Sequence, residues 1–292
     1  MSVALPAIIN GLAIGGLYSL FALSIVVIFN TGGSINFAQG NMAMFVAYLI
    51  YESMQHLHYS VELALPLGLV VGAGFGFMVY RLIILPRRSP DYLNQLFRTL
   101  GLGLLLYALA EFFWGQGEPY SFPSALGNGG FQLGSYRVSW LQAGMLGIAL
   151  VLALCFAVFL RGSRWGLMLR MVASDRDVAS MIGVRASRVE SISWCIVGAF
   201  AAVTGILFAA FFSLSGDMMD NFLIFGFTAA LVGGLTSLRG AIAGGLLIGV
   251  VDSVMSVYSK PEWDSLTLLG IMLVVMYFRP SGLFGQTVVN RV

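Results

Sequence analysis

Residues 6–29 read PAIINGLAIGGLYSLFALSIVVIF, an unbroken apolar run with no Asp, Glu, Lys or Arg. A helix crosses the hydrocarbon core of a bilayer in about 20 apolar residues, so this run alone is long enough to span. The charge-free region extends over residues 1–51. Working outward, further segments with few or no charges fall at about 36–51, 62–85, 99–114, 138–160, 190–213, 221–238, 240–258 and 265–278. The 292 residues are 59% hydrophobic and 10% charged, with a mean hydropathy of +0.90. Soluble domains carry about 25% charged residues, and thirteen acids with fifteen bases cannot cover a water-facing surface of this size. A β-barrel would alternate polar and apolar residues over strands of about ten, and these runs do not. The expected fold is all-α: a polytopic helical membrane protein with eight to ten membrane segments. Segments 36–51 and 221–238 are short and rich in Gly, Asn or Gln, so one or both are candidates for broken or re-entrant elements.

Spans consume most of the chain, which leaves residues 1–292 as a single transmembrane domain and the first span as a retained one. The G-x-x-x-x-G-K-[ST] phosphate loop does not occur. Cys155 and Cys195 lie inside apolar segments and are expected to be unpaired thiols. No basic run suits nucleic acid, and no spacing suits a metal or cofactor. His56 and His58 belong to a polar loop.

The bases set an orientation, because cytoplasmic loops of membrane proteins are enriched in Lys and Arg. Residues 81–98 hold Arg81, Arg87, Arg88 and Arg98, and residues 161–188 hold Arg161, Arg164, Arg170, Arg176, Arg185 and Arg188. Arg239, Arg279 and Arg291 fall on the same side if each segment crosses once. The alternate loops 52–61, 115–137, 214–220 and 259–264 contain Arg137 and Lys260 against Glu52, Glu118, Asp217, Asp220, Glu262 and Asp264. The expected C-terminus is therefore cytoplasmic and the N-terminus outside.

Three groups of residues are candidates for function. Asn30 to Asn41, NTGGSINFAQGN, concentrates carboxamides and glycines within apolar surroundings. Irregular backbone at membrane depth is tolerated where it faces protein or a wet cavity. The carboxamides of Asn36, Gln39 and Asn41 can donate and accept, which suits an uncharged or zwitterionic solute. The alternative is a short turn between two helices. Of the acids near spans, Glu111, Glu190 and Asp252, the last is the deepest, and carboxylates within a membrane are functional candidates. The third group is the arginine-rich stretch 161–190. Met168 to Ile182 is expected to form a short amphipathic helix, with Ser174 and Asp177 as a cap and Gly183 ending it. That helix would either lie on anionic lipid or dock a cytoplasmic partner. Small-xxx-small pairs, Gly11/Gly15, Gly72/Gly76, Gly240/Gly244 and Gly245/Gly249, are expected mainly to pack helices. A faint internal echo links Asn30–Gly33 ahead of one segment with Val232–Gly234 ahead of another.

Asp177-Val178-Ala179 followed three residues later by Gly183 resembles the Glu-Ala-Ala-x-x-x-Gly loop by which ABC importer permeases engage their ATPases. INFAQGN (35–41) after YSLFAL (18–23), VGGLTSLRGAIAGG (232–245) and RPSGLFG (279–285) narrow it. In this order and spacing, over nearly the whole chain, they resemble the branched-chain amino acid ABC importer permeases, the shorter of their two permease subunits. The family's usual His in the first motif is Gln39 here, and its usual acid is Asn41. The resemblance implies a permease that performs no bond chemistry, in a bacterial inner membrane. Its expected partners are a second homologous permease, two ATP-binding subunits, a periplasmic substrate-binding protein and membrane lipid. Asp175, Asp177, Ala179 and Gly183 would couple to the ATPases. Asn36, Gln39, Asn41, Gly233, Gly234 and Asp252 would border the substrate pathway, with the elements at Asn36–Asn41 and Gly233–Gly245 tilting as the cavity switches faces. The substrate expected first is a branched-chain amino acid. The alternatives are the same machine carrying urea, short amides or aromatic and other organic acids, and a stand-alone secondary transporter.

Overall fold

A computed structural model describes residues 4–86, 92–115, 119–124, 126–127, 129–133, 136–258 and 261–285. Arg87, Arg88, Glu118, Lys260 and Arg291 of the charge reading lie outside the described residues, as do the side chains of Glu262 and Asp264. Each of the nine hydrophobic segments contains a helix: α1 (Ala4–Gly32), α2 (Gln39–Leu57), α3 (Ala64–Val79), α4 (Tyr92–Trp114), α5 (Trp140–Gly162), α8 (Ala186–Phe211), α9 (Asp220–Gly233), α10 (Leu238–Tyr258) and α11 (Pro261–Phe278). A 3₁₀ turn at Val61–Leu63 leads into α3, and a π turn at Tyr80–Ile84 extends it. Six helices among the described residues are long and apolar enough to cross a membrane. At 1.5 Å per residue, the fourteen residues of α9 reach about 21 Å, short of a hydrocarbon core of about 30 Å. The 221–238 segment is thus broken at Gly233–Gly234, whereas α2 runs without interruption.

The chain divides into two compact units. In the unit formed by Met1–Val26, Asn128–Ala153 and Ile224–Val292, the glycines bring α1 and α10 together. A Cβ on Gly11 would stand 2.7 Å from the Gly249 carbonyl oxygen, and one on Gly15 3.0 Å from that of Gly245. Two small-xxx-small pairs that are far apart in sequence therefore form one crossing. Lipid supplies no hydrophobic drive between helices, so such close backbone approach supplies the packing instead. Ser19 adds a bond from its hydroxyl to the Ile242 carbonyl at 2.9 Å.

In the unit formed by Val27–Gly127 and Leu154–Leu223, the same device joins α3 to α8. Cβ atoms on Gly72 and Gly76 would collide with the carbonyls of Gly198 and Trp194. Gly205 of α8 lies equally close to the backbone of Ala43 in α2. The two ends of this unit differ in charge. At one end, the tips of α2 and α4 meet the 119–122 strand of loop: Trp114 donates to Glu52 at 3.0 Å, Tyr51 packs on Tyr120, and Tyr120 and Leu214 exchange two backbone bonds of 2.9 Å. At the other end, Arg81, Arg98, Arg164, Arg170, Arg176, Arg185 and Arg188 surround the π turn and the start of α8. Within this unit, Glu52 therefore lies at one end and the arginines at the other.

Two local structures differ from the sequence reading. The expected helix over Met168–Ile182 is two helices, α6 (Arg164–Ser174) and α7 (Arg176–Met181). Ser174 is not the cap. Asp175, extended at φ −156°, breaks the helix and caps α7 by accepting from the amides of Asp177 and Val178, each at 2.9 Å. A carboxylate at that position satisfies two of the orphan donors of the new helix. The stretch before α5, a loop in the sequence reading, holds an antiparallel hairpin, β1 (Gly130–Leu133) with β2 (Tyr136–Ser139). It ends in a reciprocal cap: the Gln142 amide donates to Ser139 Oγ at 3.1 Å, and the Ser139 amide to Gln142 Oε1 at 3.0 Å. Both cysteines are free thiols.

Candidate functional site

The INFAQGN stretch forms the link between α1 and α2. Helix α1 ends at Gly32, and Gly33 takes the left-handed conformation, φ +70°, with its amide on the Phe29 carbonyl at 2.9 Å. Without a Cβ, glycine enters this region freely. The chain then turns on Asn36, whose Oδ1 accepts from the Ala38 amide at 3.1 Å. Its Nδ2 donates to Gln39 Oε1 at 3.0 Å, and Gln39 Nε2 donates to the Val197 carbonyl of α8 at 3.3 Å. Asn36 and Gln39 are buried, 2% and 1% exposed, so they form an internal polar bridge from link to helix. Asn41 is half-buried, with its amide group beside Gly103 of α4.

The second glycine motif repeats this construction. Helix α9 ends at Gly233, and Gly234 is left-handed at φ +106°, with its amide on the Ala230 carbonyl at 2.9 Å. Here the open carbonyls at the helix end are claimed by RPSGLFG: Leu283 donates to Val232 at 2.8 Å and Phe284 to Gly233 at 3.1 Å. A Cβ on Gly234 would stand 2.7 Å from the Ser281 carbonyl oxygen. Gly233 also meets Gly240 backbone to backbone, so α9 and α10 pack as a tight pair around the break. Two motifs about 45 residues apart are one structural element.

Asp252 does not join that element. It lies twelve residues beyond Gly240 on α10, about 18 Å along the axis. It is 9% exposed and accepts from the Tyr18 hydroxyl at 3.0 Å, and the neighbouring Ser253 accepts from Asn10 at 3.3 Å.

Three of the coupling candidates, Asp175, Asp177 and Gly183, are exposed at the basic end of their unit, and Ala179 is buried beneath them. Of α7, Ala179 is buried at 1%, while Val178, Met181 and the following Ile182 are 54%, 83% and 64% exposed. Asp177 is exposed beside its cap residue Asp175. Gly183, at φ +88°, turns the chain out of the helix, and Val184 donates back to the Ala179 carbonyl at 3.0 Å. One feature had no signal in sequence. Arg176, the first residue of α7, pairs with Glu190 of α8 at 2.8 Å, and Tyr80 of the π turn donates to the same carboxylate at 3.1 Å. Glu190 was visible as an acid opening a span, but nothing in its spacing named Arg176 or Tyr80 as partners.

The family described as "Branched-chain amino acid transport system / permease component" matches residues 7–276. The chain belongs to that family. It is the permease component of an ABC transporter and not itself catalytic. Among its relatives, the high-affinity branched-chain amino acid transport system permease protein LivH of Salmonella typhimurium is 26% identical over 302 residues, covering 99% of this chain and 97% of LivH. The corresponding protein BraD of Pseudomonas aeruginosa is 25% identical over 301 residues, covering 99% and 98%. The solved structure of PsaBC from Streptococcus pneumoniae in complex with Fab has the same fold, at a TM-score of 0.51 and 13% identity, covering 94% of this permease and 91% of that chain. The permease is thus a multi-pass membrane protein homologous to bacterial inner-membrane permeases.

Proposed function

We propose that this permease forms one half of the pathway of an importer for branched-chain amino acids, with a second homologous permease as the other half. In this reading two ATPases engage α7 from the cytoplasm and a periplasmic protein delivers the solute. The observation that carries it is α7 itself, a short helix anchored through Arg176 to a spanning helix while it holds Val178, Met181 and Ile182 out to solvent. Exposed apolar groups in an otherwise charged stretch mark a surface that a partner covers. Movement of α7 then passes through the Arg176–Glu190 pair into α8, and through Gln39 into the α1–α2 link. The link at Gly33–Ala38 serves as the bending point, the break at Gly233–Gly234 is the stiffer of the two, and the arginine-rich stretches and the C-terminus face the cytoplasm.

The relatives named for branched-chain amino acid transport support the cargo, as does the scarcity of bases within the spans. Gln39 and Asn41 favour a second reading, in which the same machine carries urea, a short amide or an organic acid, because both replace ionisable residues usual in the family. ATP-dependent uptake of labelled leucine into vesicles holding this permease with its genomic neighbours tests both. Uptake that needs every subunit and is blocked by isoleucine and valine supports the proposal. Transport of a competitor in place of leucine moves the assignment to the second reading, and uptake by this chain alone rejects the ABC machine. Asp177→Ala, or a bulky residue at Gly183, is expected to leave ATP turnover without uptake.

A further inference from the structure

A cavity of about 310 Å³ lies where the end of α3, α6 and the first turns of α8 face one another. Arg81 and Arg188 both line it, with Trp165 and Ser187 beside them and Phe77 and Ile192 supplying apolar wall. No carboxylate lines it among the described residues. Tyr80 also borders it, but the Tyr80 hydroxyl is engaged by Glu190, and Glu190 holds Arg176. The side chains of Arg81 and Arg188 have no ion pair or hydrogen bond among the described residues. The π turn shapes this place, because it closes with Leu85 donating to the Tyr80 carbonyl at 2.9 Å. It buries Tyr80 at 2% exposure while the next residue, Arg81, stays exposed.

Two guanidinium groups beside an apolar wall favour an anion with planar or tetrahedral oxygens, which they grip with two N–H groups each. Trp165 is 41% exposed, and tryptophan settles at the depth of lipid headgroups. Next to the cavity, α3 and the π turn carry exposed Phe77, Met78 and Leu82, an apolar surface of the kind that acyl chains cover. We propose that this cavity binds the phosphate headgroup of an acidic phospholipid, Arg81 and Arg188 holding the phosphate and Phe77 and Ile192 lying against the glycerol and first methylenes. The apolar wall selects a lipid over free phosphate.

The test uses the permease purified with its co-expressed subunits and equilibrated with vesicles of phosphatidylglycerol or phosphatidylcholine, with retained lipid measured by native mass spectrometry. Each arginine near an anionic lipid contributes about fivefold, so the wild type is expected to prefer phosphatidylglycerol by about 25-fold. The double variant Arg81→Gln/Arg188→Gln is expected to lose that preference while its thermal unfolding in lipid-free detergent is unchanged. Arg98→Gln, at the same basic end but outside the cavity, keeps it. Equal retention of the two lipids by the wild type, or undiminished preference in the double variant, overturns the proposal. So does displacement of the lipid by inorganic phosphate, which would make the cavity a free-anion site. Loss of a co-purifying subunit from the double variant with lipid retention intact would make it a protein interface.

Discussion

Replacing Arg176 with Met should loosen α7 without unfolding the permease. Glu190 has a side chain 6% exposed and Arg176 one 37% exposed, so the pair is buried on one side and wet on the other. Exposed pairs contribute about 0–1 kcal/mol, and removing one partner of a fully buried pair costs about 3–5 kcal/mol. The mixed burial places Arg176→Met at about 2 kcal/mol, or a shift of about 30-fold in a local equilibrium. The strain falls on α7 because six residues do not hold a helix by themselves; Ala179 packing, the Asp175 cap and the Arg176 pair fix it. Hydrogen exchange at the amides of Ala179, Gly183 and Val184, all backbone-bonded here, reports the opening directly. Exchange in the assembled transporter is expected to accelerate about 30-fold, with more ATP consumed per solute imported. Arg176→Met/Glu190→Gln should lie closer to the wild type than Arg176→Met alone, since no buried carboxylate is then stranded. Unchanged exchange and unchanged ATP per solute in Arg176→Met would refute this account of how α7 is held.

Other perturbations act on the same geometry. Asp175→Ala removes the acceptor for the Asp177 and Val178 amides and should destabilise α7 by about 1 kcal/mol, read as faster exchange confined to 177–184. Gly234→Ala should lower the thermal midpoint in detergent more than Gly183→Ala. Both sit at positive φ, but the added methyl at Gly234 meets the Ser281 carbonyl while that at Gly183 meets nothing within 4 Å. Gly15→Leu should force α1 from α10 and cost about 1–3 kcal/mol or more, checked by the same melt. Gln39→Leu removes the bond to Val197 and the acceptor for Asn36, a loss of about 1–3 kcal/mol for buried polar groups. A change in the KM for uptake with no change in stability would instead put Gln39 against the solute.

The spans were legible because their signal is composition over about 20 residues, which no partner is needed to read. Each helix of the hydrophobic segments is apolar nearly all round, so length and missing charge decided it. The glycines were legible as packing residues but not as pairs. Nothing in Gly11-x-x-x-Gly15 names Gly245 and Gly249, because a glycine presents backbone rather than a shape of its own. The division of 164–181 into α6 and α7 was missed for a different reason. The amphipathic pattern runs through Asp175, and only the extended backbone there shows that its carboxylate caps the next turn instead of riding the previous one. The Ser139–Gln142 box was readable as S-x-x-Q, yet the apolar run beginning nearby drew the boundary first.

The repeated helix ends bear on how such a chain can move. Helices α1 and α9 both stop at a glycine, turn on a left-handed glycine with its amide bonded four residues back, and resume within six residues as α2 and α10. The surroundings of the two turns differ. At Gly33 a Cβ would meet nothing within 4 Å, and the link beyond it is held by side-chain bonds through Asn36 and Gln39. At Gly234 the backbone is enclosed by 281–285, with main-chain bonds to Val232 and Gly233. Side-chain carboxamides can exchange partners at about the strength of a neutral hydrogen bond, whereas the enclosed main-chain break has no room to rotate. Of the two breaks, the one at Gly33 is therefore expected to be the softer and to serve as the bending point, and the one at Gly234 the stiffer. A Pro or disulfide that locks 33–38 should stop uptake, whereas cross-linking 234 to 281–285 should leave uptake intact; the reverse result would exchange the two roles.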